Sequence, residues 1–256
     1  MFIDINCDMG ESFGAYKIGE DEKIIEYITS ANIACGFHAG DPVVMEKTVK
    51  LAKDHGVGVG AHPGFPDLLG YGRRMMETCP GEVQQYVLYQ VGALAAFCRA
   101  HQVAMQHLKP HGALYNLAAR DEKTAAEVIG AVQAYDPELI LVVLAGSRLA
   151  ELAEKEGLKI AREVFPDRAY LEDGRLAPRS LPGAVVHDPE QVRRRVVKLI
   201  AEGALTSIDG KEVPLQADTL CIHGDTPGAW KLAQTIREAL DEAGISVAPL
   251  SRGLFA

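Results

Sequence analysis

The sequence is short of several features that would assign a class at once. Its five cysteines (Cys7, Cys35, Cys79, Cys98 and Cys221) are an odd number and no two stand in C-x-x-C spacing. That excludes a disulfide scaffold and a structural zinc site of paired cysteines, and leaves reduced thiols as the expectation. Apolar stretches such as Leu139 to Ala145 fall far below the roughly 20 residues needed to cross a bilayer, so no membrane partner is expected. Met1 leads directly into Phe2-Ile3-Asp4-Ile5 without the basic and apolar regions of a secretory signal, and a cytoplasmic location is expected. Basic residues are the minority, 26 against 35 acidic ones for a net charge of -9, and they form no local stripe. Phosphate backbones would be repelled, so nucleic acid is not an expected partner. Also missing are the H-E-x-x-H helix, the G-x-S-x-G elbow, the kinase signatures and the G-x-x-x-x-G-K-[ST] phosphate loop. The Gly-Lys pair, Gly210-Lys211, falls in a turn, so ATP has no visible seat.

What is present is an ordinary globular composition over 256 residues, 48% hydrophobic and 24% charged, which suits one domain over 1–256. Short Val/Ile/Leu-rich runs predict strands near 2–7, 31–35, 57–61, 105–109, 139–144, 160–164 and 219–223, with 246–250 as an optional last one. Between them, Asp41-Pro42, Thr78 to Pro80, Asp188-Pro189 and Thr226-Pro227 carry helix-start signals, the cap followed by proline being the clearest. Residues 204–218 read as a small hairpin turning at Asp209-Gly210. Two stretches, 63–78 and 165–187, exceed normal loop length and read as lids or binding loops.

This alternation gives an α/β fold with a parallel sheet, open or closed. Closure is favoured because polar residues recur at the ends of successive strands, and only a closed ring brings all those ends to one mouth. Alternation puts Asp4, Asn6 and Asp8 on one face of the first strand, where burial is costly unless they serve a site or one another. His38 is flanked by Gly36 and Gly40, and His62 ends the third strand. His107, Lys109 and His111 follow on the fourth. Asp41 has a competing role as a helix cap. Glu163 ends the sixth strand, while Arg168, Arg175 and Arg179 in the long loop read equally as solvated surface or as a lid aiming guanidinium groups at a carboxylate. His223 and Asp225 close the series. Together Asp8, His38, His62, His111 and His223 suggest either a divalent metal site or acid/base groups acting on water, and spacing does not choose between them.

Five segments carry a resemblance: Asp4-Ile-Asn-Cys-Asp-Met-Gly-Glu11, Asn32-Ile-Ala-Cys-Gly-Phe-His-Ala-Gly-Asp41, Gly60-Ala-His-Pro-Gly-Phe-Pro-Asp67, Lys109-Pro-His-Gly-Ala-Leu-Tyr-Asn116 and Glu163-Val-Phe-Pro-Asp-Arg-Ala-Tyr170. In this order they resemble the LamB/YcsF family, which contributes one of the subunits of prokaryotic 5-oxoprolinase, over nearly the whole chain. The resemblance implies a single-domain, seven-stranded β/α barrel, TIM-like and of the glycoside hydrolase/deacetylase type. It implies a part in the ATP-dependent opening of 5-oxoproline to L-glutamate, together with two other 5-oxoprolinase subunits. Carried over, the expected site positions are Asp8, His38, Asp41, His62, Lys109, His111, Glu163 and Asp225, with Asn6, Arg168, Arg179 and His223 as further substrate-binding candidates. Which member of the complex binds ATP, and whether a divalent metal is used, stay open. The competing reading is a free-standing metal-dependent deacetylase or amidohydrolase acting on a small amide.

Overall fold

The computed structural model describes residues 2–178 and 180–253; Arg179, one of the substrate-binding candidates, lies outside them. In chain order the elements are β1 (Phe2–Met9), α1 (Asp21–Ile24), β2 (Ser30–Ala34), α2 (Pro42–His55), β3 (Gly58–His62), α3 (Glu82–His101), β4 (Met105–Leu108) and α4 (Gly112–Ala118). They continue with α5 (Glu122–Tyr135), β5 (Ile140–Leu144), α6 (Arg148–Lys155), β6 (Ile160–Val164), α7 (Pro189–Glu202), β7 (Ala204–Thr206) and β8 (Glu212–Pro214). Last come β9 (Thr219–Ile222), α8 (Ala229–Glu242), β10 (Ser246–Val247) and α9 (Leu250–Gly253).

Strands β1, β2, β3, β4, β5, β6 and β9 pair in parallel in that order, and β9 pairs back onto β1, closing a seven-stranded barrel. The fold is the TIM-like α/β barrel expected. The optional eighth strand is reduced to β10, which pairs with Phe2 and Ile3 outside the ring and gives way to α9. The hairpin also forms: β7 and β8 pair antiparallel around Asp209-Gly210.

Period-two alternation decides what fills the cylinder. Ile3, Ile5, Cys7 and Met9 are fully buried in the main apolar cluster with α2 and α3 residues such as Val49, Ala52 and Val91. The intervening Asp4, Asn6 and Asp8 belong to a hydrogen-bonded axis instead of the branched hydrocarbon usual in such barrels. At its lower end Asp4 accepts hydrogen bonds from the hydroxyls of Thr29, Ser30 and Thr219. One layer higher, Asn32 donates to the side-chain oxygens of Asn6 and Asp8, at 2.7 and 2.9 Å, and its own oxygen lies 2.7 Å from His107 Nε2. Gly60 makes that layer possible, because a Cβ there would sit 2.1 Å from the His107 ring.

Asp41 caps α2, its carboxylate accepting from the amides of Val43 and Val44 and of Gly14 in the first loop, and Gly56 at φ 67° ends the helix. Of the two long loops, 63–78 runs without strand or helix, while 165–187 is tied by isolated bridges at Arg168–Val185 and Tyr170–Leu176. Both flank the mouth. All five cysteines are free, four of them buried. Among the described residues no helix is long and apolar enough to cross a membrane.

Candidate functional site

At the upper end of the axis, Asp8, Lys109 and Glu163 meet from β1, the end of β4, and β6. Lys109 Nζ lies 2.9 Å from Asp8 Oδ1, 2.8 Å from Glu163 Oε1 and 3.0 Å from Cys221 Sγ. Tyr115, one turn into α4, donates its hydroxyl to Glu163 Oε2 at 2.6 Å. Burial opposes every charge here, and pairing settles the outcome. For Asp8, burial pushes the carboxyl up but the charges of His62 and Lys109 outweigh it and hold the group well below its ordinary value. For Lys109, burial pulls down and Asp8, Cys221 and Glu163 push further up, so the ammonium persists.

Beside this pair sit three imidazoles. His62 Nδ1 lies 2.7 Å from the Lys109 carbonyl, and His111 Nε2 lies 2.8 Å from the Tyr71 carbonyl. A carbonyl only accepts, so both of those nitrogens carry hydrogen. In the neutral rings the remaining nitrogens, His62 Nε2 and His111 Nδ1, hold lone pairs, yet they face each other at 3.0 Å. Two facing lone pairs require a shared proton or a cation. Burial holds both His38 and His111 well below the ordinary imidazole value, which keeps their lone pairs available.

Glu11 completes the group. It follows Gly10, whose φ of 68° turns the chain at the end of β1, and its Oε1 lies 3.7 Å from His38 Nε2 and 4.0 Å from His111 Nδ1. One ligand atom from each of Glu11, His38, His62 and His111 falls within 4.8 Å of all the others, and all four side chains are buried. Both ring nitrogens of His38 lack a hydrogen-bond partner. Three imidazoles and a carboxylate, with both nitrogens of His38 unpartnered, are a donor set that fits a divalent cation.

Asp8, His62, Lys109 and His111 form one end of a cavity of about 250 Å³, whose walls include Arg73, Tyr115, Asn116, Phe165, Arg168 and His223. Phe165 stacks on His223 with ring centroids 5.2 Å apart, giving a flat apolar wall. The volume lies below the range of roughly 300–1,000 Å³ typical of drug-sized ligands, so it suits a molecule of few heavy atoms.

The structure thus brings together Asn6, Asp8, His38, His62, Lys109, His111 and Glu163, with His223 on the cavity wall. Asp225 stands at the mouth in an ion pair with Arg73. Asp41 does not join them; its carboxylate is occupied in capping α2. Arg168 reaches the cavity wall, but its Nε and Nη2 donate to the carbonyls of Ala184 and Ala177, which fixes the 165–187 loop. Not singled out from the sequence were Glu11, Asn32, Arg73, Tyr115 and Cys221. A carboxylate just past the strand end that already carries Asp8 was the available signal for Glu11. Arg73 has none, being one of two adjacent arginines.

Known proteins resemble this chain over nearly its whole length. The chain is 68% identical over 247 residues to a protein of Syntrophobacter fumaroxidans named as a 5-oxoprolinase subunit, covering 96% of this chain and 98% of that one. The crystal structure of a lactam utilization protein from Thermus thermophilus superposes with a TM-score of 0.94 at 52% identity, over 97% of this chain and 99% of the other. A family 4 carbohydrate esterase from Streptomyces lividans shares the fold alone, with a TM-score of 0.52 at 13% identity over 97% of each chain. The model of the LamB/YcsF family matches residues 3–254, a span that takes in every strand of the closed barrel but the first residue of β1 and every side chain of the cluster at its mouth, so the chain belongs to the LamB/YcsF family.

Proposed function

We propose that this chain is the ring-opening component of a 5-oxoprolinase, hydrolysing the lactam bond of 5-oxoproline to give L-glutamate, with two partner subunits and at the expense of ATP. The observation that carries the reading is the buried Asp8–Lys109 pair flanked by His62 and His111 on a cavity fit for a small ring. The names of the most similar relatives support the substrate. A five-membered lactam closes readily because its amine and carboxyl are held at high effective concentration, so opening it needs coupling to another reaction. With no phosphate loop in this sequence, the reading assigns ATP to one of the partners.

Ring opening needs an activated water, a donor for the tetrahedral oxyanion and an acid for the departing nitrogen. Asp8, held ionised 3.4 Å from His62 Nε2, takes a proton from water, directly or through His62. The Lys109 ammonium faces the oxyanion. The proton taken from water is then handed by the same Asp8–His62 pair to the departing nitrogen, while His38 and His111, held neutral, line the site. Asn6, Glu163 and His223 orient the substrate and the lysine, and Asn6 Oδ1 lies 3.3 Å from Lys109 Nζ. A divalent ion held by Glu11, His38, His62 and His111 would supply Lewis-acid polarisation of a carbonyl or of water.

Mixing the chain with its partner subunits, 5-oxoproline and ATP should yield glutamate and ADP, and omitting this chain should stop glutamate formation. An Asp8→Asn variant that keeps full activity in that mixture would overturn the assignment. The four-residue Glu–His cluster favours a second reading, a free-standing metal-dependent deacetylase or amidohydrolase. Its signature would be turnover of N-acetyl substrates by the metal-loaded chain alone, without ATP or partners.

A further inference from the structure

We infer that Arg73 is the specificity-determining residue of the cavity: its guanidinium takes the substrate's carboxylate in exchange for Asp225. This inference rests on 5-oxoproline being the substrate. Among the described residues three cationic side chains, those of Lys109, Arg168 and Arg73, line the cavity. Lys109 is enclosed between Asp8 and Glu163 at the deep end, where the amide must react. Arg168 is committed to two backbone carbonyls.

Arg73 is different in kind. Its backbone is fixed: Gly72 N donates to Asp67 O, Arg73 N to Gly70 O, and Ala113 N to Gly72 O. The preceding Tyr71 has φ 56° and gives its carbonyl to His111, so the segment that bears Arg73 is tied to the reactive cluster itself. The head of Arg73, by contrast, is half exposed. It lies 4.8 Å from the centroid of the Tyr71 ring and pairs at 2.5 Å with Asp225, whose own side chain is 22% exposed at the mouth. An anchored base with a part-exposed ion pair at its tip is an exchangeable site, since Asp225 is held through one Arg73 nitrogen while an incoming carboxylate can engage the guanidinium fork through two. Asp225 then serves as the resident stand-in for the substrate carboxylate, a competitor that 5-oxoproline displaces and a neutral ring leaves in place.

Isothermal titration of the full chain with 5-oxoproline and with 2-pyrrolidinone, the same ring without its carboxylate, tests this. The unmodified chain should prefer 5-oxoproline by about tenfold or more. Arg73→Gln should bring the two ligands within about twofold of one another, and Arg73→Lys should fall between, because it keeps the charge but loses the fork. Asp225→Asn should tighten 5-oxoproline by roughly threefold, by removing its competitor, and leave 2-pyrrolidinone unchanged. Thermal unfolding of each variant confirms that it is folded. If Arg73→Gln keeps the preference, or if Arg73→Gln and Asp225→Asn weaken 5-oxoproline alike, the pair is only a latch between two loops and the inference is overturned. Binding of neither ring by the unmodified chain would instead overturn the substrate reading, and this inference with it.

Discussion

His38 lies flat against His111, their ring centroids 3.7 Å apart and their planes within 2° of parallel. Two buried imidazoles in this arrangement repel if both gain a proton, and burial holds each of them neutral. Rings kept neutral and stacked, with His62 edge-on to each of them, direct several lone pairs into one small volume. That is an expensive arrangement without a cation to receive them.

A chelator-treated chain should therefore gain thermal stability when zinc or manganese is added. The gain should approach about 2.7 kcal/mol when the metal is present at a hundred times its dissociation constant. His38→Ala and Glu11→Gln should each remove most of it. An unmoved melting temperature, together with elemental analysis finding no metal, would show that the four side chains are not a metal centre.

Lys109 is the cation between two buried carboxylates. Lys109→Met would leave Asp8 and Glu163 facing each other unpaired, at a cost of about 3–5 kcal/mol read from urea unfolding. Adding Glu163→Gln should recover part of that stability. Turnover in the reconstituted complex should stay at least about a hundredfold down in both variants, since the proposed oxyanion donor is gone.

Asp4 makes stability depend on pH. Burial holds its carboxyl up at about 6, against an ordinary 3.8. A group that binds its proton more tightly when folded stabilises the fold fully below its unfolded value, and loses that stabilisation as pH rises through its folded value. Between about pH 4 and 6 the Asp4 contribution falls, by on the order of 3 kcal/mol, and it is level above that window. Asp4→Asn should lack this slope, so the difference in unfolding free energy between variant and parent should change across that window. A difference that does not change with pH would show that Asp4 does not titrate there.

Two glycines should respond in opposite directions. Gly60→Ala drives a methyl into His107, which should cost about 1–3 kcal/mol and lower turnover as well, through Asn32 and Asp8. Gly92, inside α3, would meet nothing with an added Cβ and has no positive φ. Gly92→Ala should gain roughly 0.5–1 kcal/mol from helix propensity and leave turnover unchanged. Paired calorimetry and assay of the two variants check both statements.

Much of the barrel was legible because strands buried on both faces stand out against helices with proline-marked starts. β6 runs over the residues expected, and α2 and α7 begin at the prolines of Asp41-Pro42 and Asp188-Pro189. Helices α4, α5 and α6 were not located. Glycine opens α4 at Gly112, and the caps of α5 and α6, Asp121 and Ser147, have no following proline. In the site, His62, Lys109 and His111 were found because they stand at or just past the ends of β3 and β4. Asp41 illustrates the opposite case: it sits in the same kind of segment, but its carboxylate faces the free amides of a helix start. Glu11 escapes period-two counting, because the turn at Gly10 that brings it back to the cluster is a three-dimensional event.

The hydrogen-bonded column from Asp4 through Asn6, Asn32 and His107 to Asp8 has an evolutionary corollary. In most barrels the end away from the mouth can drift freely in sequence so long as it stays greasy and well filled. Here a change at Thr29, Ser30 or Thr219 is transmitted upward, through Asp4, Asn6 and Asn32, to Asp8, the carboxylate proposed as the base. The lineage is thereby tied to a hydrophilic bore from end to end, and new activities should arise in this scaffold by altering its loops while its centre stays as it is.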